Sequence, residues 1–162
     1  MTEAKRFIGP AALFFEDFKP GDRIVTQGRT VTAADGLFWS MFSGDMNPMH
    51  VDYDYANKHG IYGGAFPAGL VAVAIASGLL ERTGFSAGTG LAIIEQTVRY
   101  KVPVLFGETI RLELVIRELK PSKNHPRGTV RFDYQVIKTD DTVAIEGEWT
   151  WLFASRAAIT SG

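Results

Sequence analysis

From Gly90 onward the chain is dominated by long β-type runs: LAIIEQTVRYKVPV, ETIRLELVIRELK, GTVRFDYQVIK and TVAIEGEWTWLFA. Ile110, Leu112, Leu114 and Ile116 alternate with Arg111, Glu113, Val115 and Arg117, so a strand here buries one face and wets the other. The connectors VLFG and KTDD are short enough for hairpins, which predicts antiparallel pairing. Such a sheet needs a cover for its apolar face. The segment before it, LVAVAIASGLLER, opens at Gly69 and is apolar almost all round, the pattern of a helix enclosed by protein. These features predict an α+β domain in which a curved antiparallel sheet wraps a central apolar helix.

Upstream the pattern is helical and irregular. Residues 1–17 are read as an N-terminal lead-in, 18–155 as one domain and 156–162 as a C-terminal tail, with no repeat or linker to divide them. Pro20, Gly21 and Asp22 make a turn before a strand-like stretch from Arg23 to Val31. Thr32 and Asp35 have capping-box spacing ahead of Leu37, Phe38, Met41 and Phe42, whose periodicity predicts a short helix packed on that face. In DMNPMH, Pro48 biases Asn47 away from helical geometry, which predicts a loop. Asp52 to His59 predicts another short helix closed by Gly60, and IYGGAFPAG a glycine-rich loop whose backbone can approach a ligand closely.

Composition narrows the function. The absence of cysteine removes disulfides, thiolate metal sites and a cysteine nucleophile. A formal charge of −1 offers no field for a nucleic-acid backbone or an anionic membrane surface. No apolar run is long enough to span a bilayer, and a cytoplasmic protein is expected.

GDMNPMHVD, residues 44–52, is the sharpest local signal, with two carboxylates, a carboxamide and an imidazole close together in a turn. It admits several readings. Asp45 and Asn47 can simply bond nearby backbone N–H groups while Asp52 caps the next helix. Asp45 and Asn47 also have the spacing of the first EF-hand ligands, but Met49 cannot ligate. A transition-metal site on His50, Asp45 and Asp54 would need more ligands, and nothing in the spacing of His59 and His125 supplies them. No metal is therefore expected.

GDMNPMHVDYDYA, the glycine-rich loop ending in Gly69, and QTVRYKVPVLFGE together resemble the MaoC-like dehydratase family, hot-dog-fold enzymes that include the (R)-specific enoyl-CoA hydratases. The resemblance runs from about Phe18 to about Phe153. It implies Asp45 and His50 as the catalytic pair, Asn47 as a residue holding their loop, Gly69 at the start of the central helix, and Ser77 as a supporting residue on that helix. Family members often read His-Gly at the helix start where this chain has Ala68-Gly69, a change that leaves the Gly69 N–H in place.

The residue types suit that chemistry independently. Adding water to an enoyl thioester requires one group to take a proton and another to return one, tasks a carboxylate and an imidazole can share. Charge on the thioester oxygen is met by a free N–H at a helix N-terminus, and Gly69 has no side chain to obstruct the acyl group. The expected activity is reversible hydration of a trans-2-enoyl-CoA by a homodimer or higher homo-oligomer, with no cofactor beyond the coenzyme A of the substrate. Tyr62, Gly64 and Phe66 are candidates for lining an acyl pocket, and Lys123 and Arg127 beside His125 for meeting coenzyme A phosphates. Against these, His125 suits a solvated loop, Phe38, Trp39 and Phe42 suit helix packing, and the Ser77 hydroxyl suits a bond to the Val73 carbonyl. A hot-dog thioesterase and a non-catalytic acyl-CoA-binding subunit are the competing functions.

Overall fold

The computed structural model describes residues 7–158. Parts of the lead-in and tail, residues 1–6 and 159–162, lie outside the described residues. In chain order the elements are β1 (Arg23–Val25), β2 (Arg29–Thr30), α1 (Ala33–Ser43), α2 (Pro48–Val51), α3 (Tyr53–His59), α4 (Gly69–Glu81), β3 (Gly90–Gln96), β4 (Arg99–Tyr100), β5 (Thr109–Pro121), β6 (Arg127–Lys138) and β7 (Val143–Ala154).

All seven strands form one antiparallel sheet in the order β1-β5-β6-β7-β3, with β2 also on β5 and β4 also on β7. The alternation seen in the sequence decides which face turns inward: Ile110, Leu112, Leu114 and Ile116 are at most 2% exposed, alongside Val130, Phe132, Val136, Trp149 and Phe153. Against them α4 buries Val71, Ala72, Val73, Ile75, Ala76, Leu79 and Leu80. One sheet covers only one side of a helix, however. Leu70, Ala74 and Gly78, spaced along one stripe of α4, are exposed, so the helix is not enclosed all round within the protomer.

Three other expectations change. The stretch from Arg23 to Val31 is two short strands separated by an irregular break. Residues 48–51 form a helical turn rather than a loop, because Pro48 occupies the first helical position, where its missing N–H costs nothing, and Asn47 caps it. The capping box of Thr32 and Asp35 does form, but α1 buries Gly36 and Ser40 rather than its large apolar residues. A Cβ on Gly36 would come within 2.7 Å of Phe106, so the helix lies down on its small-residue face and leaves Leu37, Phe38, Met41 and Phe42 59–77% exposed.

The lead-in is irregular yet anchored. Gly9 and Leu13 donate to the Ala87 and Phe85 carbonyls, and Phe14 and Phe18 are buried. Among the described residues no helix is long and apolar enough to cross a membrane.

Candidate active site

Gly44, in the left-handed region at φ 79°, ends α1 and turns the chain into the 45–52 segment. Here the modest turn chemistry is present in full. Asn47 N–H donates to Asp45 Oδ1 at 3.3 Å, Met49 N–H to Asn47 Oδ1 at 3.0 Å, and Tyr55 N–H to Asp52 Oδ1 at 2.9 Å. These bonds leave Asp45 Oδ2 directed at the imidazole: it lies 4.0 Å from His50 Nε2. One oxygen of the carboxylate thus holds the turn while the other faces the imidazole.

His50 is held from its other side. Nδ1 is 2.9 Å from the Phe66 carbonyl oxygen, and since a carbonyl only accepts, Nδ1 carries the proton. In the neutral ring Nε2 then presents a lone pair toward Asp45. The imidazole also packs edge-on against the Phe66 ring, with centroids 5.4 Å apart. Because Phe66 lies just ahead of α4, this contact ties the 45–52 segment to the start of that helix.

The helix start is open. Ala68 stands at the N-cap of α4 without a side-chain hydrogen bond, and the first turn bond runs from Val71 N–H to the Ala68 carbonyl. The N–H groups of Gly69 and Leu70 therefore face outward with the positive end of the helix dipole. Asp45, His50 and this helix start line one cavity of about 400 Å³, with Tyr62 and Phe66 on one side and Tyr100, Val104 and Ile145 on the other.

Not every expected residue reaches it. Asn47 lies outside the wall and acts through its bonds to the turn. Gly64 sits in the adjoining loop, away from the cavity wall. Ser77 lines a separate depression with Glu81, Ser86 and Trp151, two turns further along α4. Lys123 and Arg127 are exposed at the turn between β5 and β6, where Pro121 pairs with Gly128. The cavity adjoins the other end of those strands, where Tyr100 and Val136 both pair with Ile145. At about 3.3 Å per residue the strands keep the two ends roughly 30 Å apart within one protomer.

Tyr100 and Ile145 are wall residues that the local sequence pattern does not mark. Tyr100 stands in the motif block from Gln96 to Glu108, but its register on β7 is not readable from local pattern. Burial raises the pKa of its hydroxyl, which stays neutral at ordinary pH. Among the described residues no group of three or more histidines and carboxylates is arranged to hold a metal.

A Mycobacterium tuberculosis protein with a double hot-dog fold matches 91% of this chain, over 46% of its own, at a TM-score of 0.74 and 16% identity, a likeness of fold alone. The antiparallel sheet wrapped on α4 is that hot-dog α+β fold, here with a cavity at the helix N-terminus. A family model described as the MaoC like domain matches residues 17–138. The (R)-specific enoyl-CoA hydratase of Rhodospirillum rubrum is 28% identical over 151 residues, covering 88% of this chain and 93% of that protein. The solved MaoC-like dehydratase from the same organism covers 89% of this chain and 98% of its own at 25% identity and a TM-score of 0.79. The chain belongs to the MaoC-like dehydratase family.

Proposed function

We propose that this hydratase/dehydratase-like enzyme reversibly adds water to a trans-2-enoyl-CoA, with Asp45 and His50 as the acid/base pair and the Gly69 N–H as the oxyanion donor. The observation that carries this is the opening of all three groups onto one cavity. A spacing of 4.0 Å is too long for a direct hydrogen bond between Asp45 and His50 but lets both reach one water. The Nε2 lone pair takes a proton as the water oxygen attacks the β carbon, and the Asp45 carboxylate stabilises the resulting imidazolium. Negative charge then moves to the thioester oxygen, opposite the Gly69 N–H, and collapses as the pair returns a proton to the α carbon. The reverse sequence expels water from a 3-hydroxyacyl thioester. No cofactor takes part.

Tyr62 and Phe66, edge-on with centroids 5.6 Å apart, wall the mouth beside His50, with Gly63, at φ 71°, allowing the loop its path. Ser77, in a separate depression, does not touch the acyl group. The test is a panel of short, branched, dicarboxylic and medium-chain enoyl-CoA esters. At least one is expected to lose the absorbance of its conjugated thioester without releasing a free thiol. Thiol release in place of hydration would make the protein a thioesterase.

We also infer a homodimer. β3 is an edge strand that exposes Leu91, Ile93 and Ile94, next to the open stripe of α4, and such an edge calls for a partner. Antiparallel pairing of β3 with a second copy turns the partner's sheet end for end. The turn bearing Lys123 and Arg127 then comes from the partner's side toward this cavity, where those cations meet coenzyme A phosphates. Light scattering at micromolar concentration is expected to give twice the mass of the chain or more, and a monomer would count against the assembly.

A further inference from the structure

The two walls of the cavity differ in kind. Tyr62 and Phe66 belong to the loop beside His50 at the mouth, whereas Ala72, Val104 and Ile145 form a buried apolar wall that is continuous with the core. Tyr100, the largest side chain that the sheet side contributes, lines the cavity together with the helix start and that wall. Its ring lies against Gly69: a Cβ built there would meet Cε1 at 2.6 Å, Cζ at 3.0 Å and Cδ1 at 3.1 Å. The backbone that carries the ring is fixed, since Tyr100 pairs with Ile145 and Lys101 N–H donates to the Ala144 carbonyl at 2.9 Å.

An acyl chain whose thioester oxygen meets the Gly69 N–H starts beside this ring. Ala72, Val104 and Ile145 cannot retreat, because they pack into a dense interior. We propose that Tyr100 is the specificity-determining residue of this site, its ring filling space beside the reacting carbons so that short acyl thioesters are taken in preference to longer ones. The proposal rests on the cavity being the acyl-thioester site. It also accounts for Gly69 in a second way, because any side chain there would strike the ring.

Butyryl-CoA and octanoyl-CoA, saturated esters that bind without being hydrated, test it by titration calorimetry on the full chain. The parent is expected to bind butyryl-CoA more tightly. Tyr100→Ala should shift the ratio of the two affinities toward octanoyl-CoA by about tenfold or more, the scale on which a pocket resolves a few methylenes. Tyr100→Phe keeps the ring and should keep the ratio. Gly69→Ala should weaken both esters, and Tyr100→Ala in the same chain should restore them. Should Tyr100→Ala fail to fold, Tyr100→Leu carries the same comparison.

A folded Tyr100→Ala protein with the parent's ratio overturns the proposal, as does a parent that prefers octanoyl-CoA. Hydration is followed separately with crotonyl-CoA. A shifted ratio in a protein that hydrates no enoyl ester overturns the hydratase reading and upholds the role of Tyr100, and a parent that binds neither ester overturns both.

Discussion

Asp45→Asn is expected to lower hydratase turnover by two or more orders of magnitude, about what a positioned acid/base group contributes. The substitution is locally mild. Asparagine keeps a side-chain oxygen where Asp45 Oδ1 accepts from Asn47 N–H, so the turn that presents the residue is retained. What is lost is the negative charge 4.0 Å from His50 Nε2. His50→Ala should cost as much in turnover, but it also leaves the Phe66 carbonyl without its Nδ1–H donor. An unsatisfied, partly buried carbonyl costs about 1–3 kcal/mol, so some loss of thermal stability is expected in this variant and not in Asp45→Asn. Single-turnover rates on the best ester of the panel, with circular dichroism to establish folding, make the comparison. A well-folded variant of either kind that hydrates at a near-normal rate would remove that residue from the catalytic pair.

The second large effect is expected at Gly69, where the functional atom is a backbone N–H that only proline removes. Gly69 is the first residue of α4, a position where proline fits the helix and forfeits no intrahelical bond. Steric effects have to be separated from the loss of the donor, because a Cβ at Gly69 would approach Tyr100 Cε1 to 2.6 Å in the alanine and proline variants alike. Gly69→Ala is therefore the matched reference, carrying the crowding but keeping the N–H. Gly69→Pro should turn over a hundred- to a thousandfold more slowly than Gly69→Ala, about 3 to 4 kcal/mol of transition-state stabilisation. If the folded proline variant matches the alanine variant, the thioester oxygen is held by another donor, such as Leu70 N–H or the loop from Gly63 to Phe66.

What was legible in the sequence was written in short-range chemistry. Alternation over a strand depends on neighbours two residues apart, and the Thr32–Asp35 box and the Asn47 and Asp52 caps involve groups two or three residues apart. Asp45 and His50 share one turn for the same reason, so their proximity needed no knowledge of the fold. The misread points are also local in origin. Pro48 carries two opposite signals, a bar to helix before it and an aptitude for starting one, and the Asn47 cap decided for the second.

By itself, then, the sequence determined a sheet with one buried face, an apolar helix to fill it, and a polar turn able to hold a carboxylate beside an imidazole. The tertiary structure alone decided what those parts meet. Sheet register brought Tyr100 onto Gly69 and Ile145 into the cavity wall, while the length of β5 and β6 carried Lys123 and Arg127 to the far end. Helix geometry turned Ser77 into a different depression, and the close approach of Gly36 to Phe106 left the large residues of α1 facing outward. Contacts between segments far apart in the chain depend on how every intervening element packs, and no window of a dozen residues contains that information.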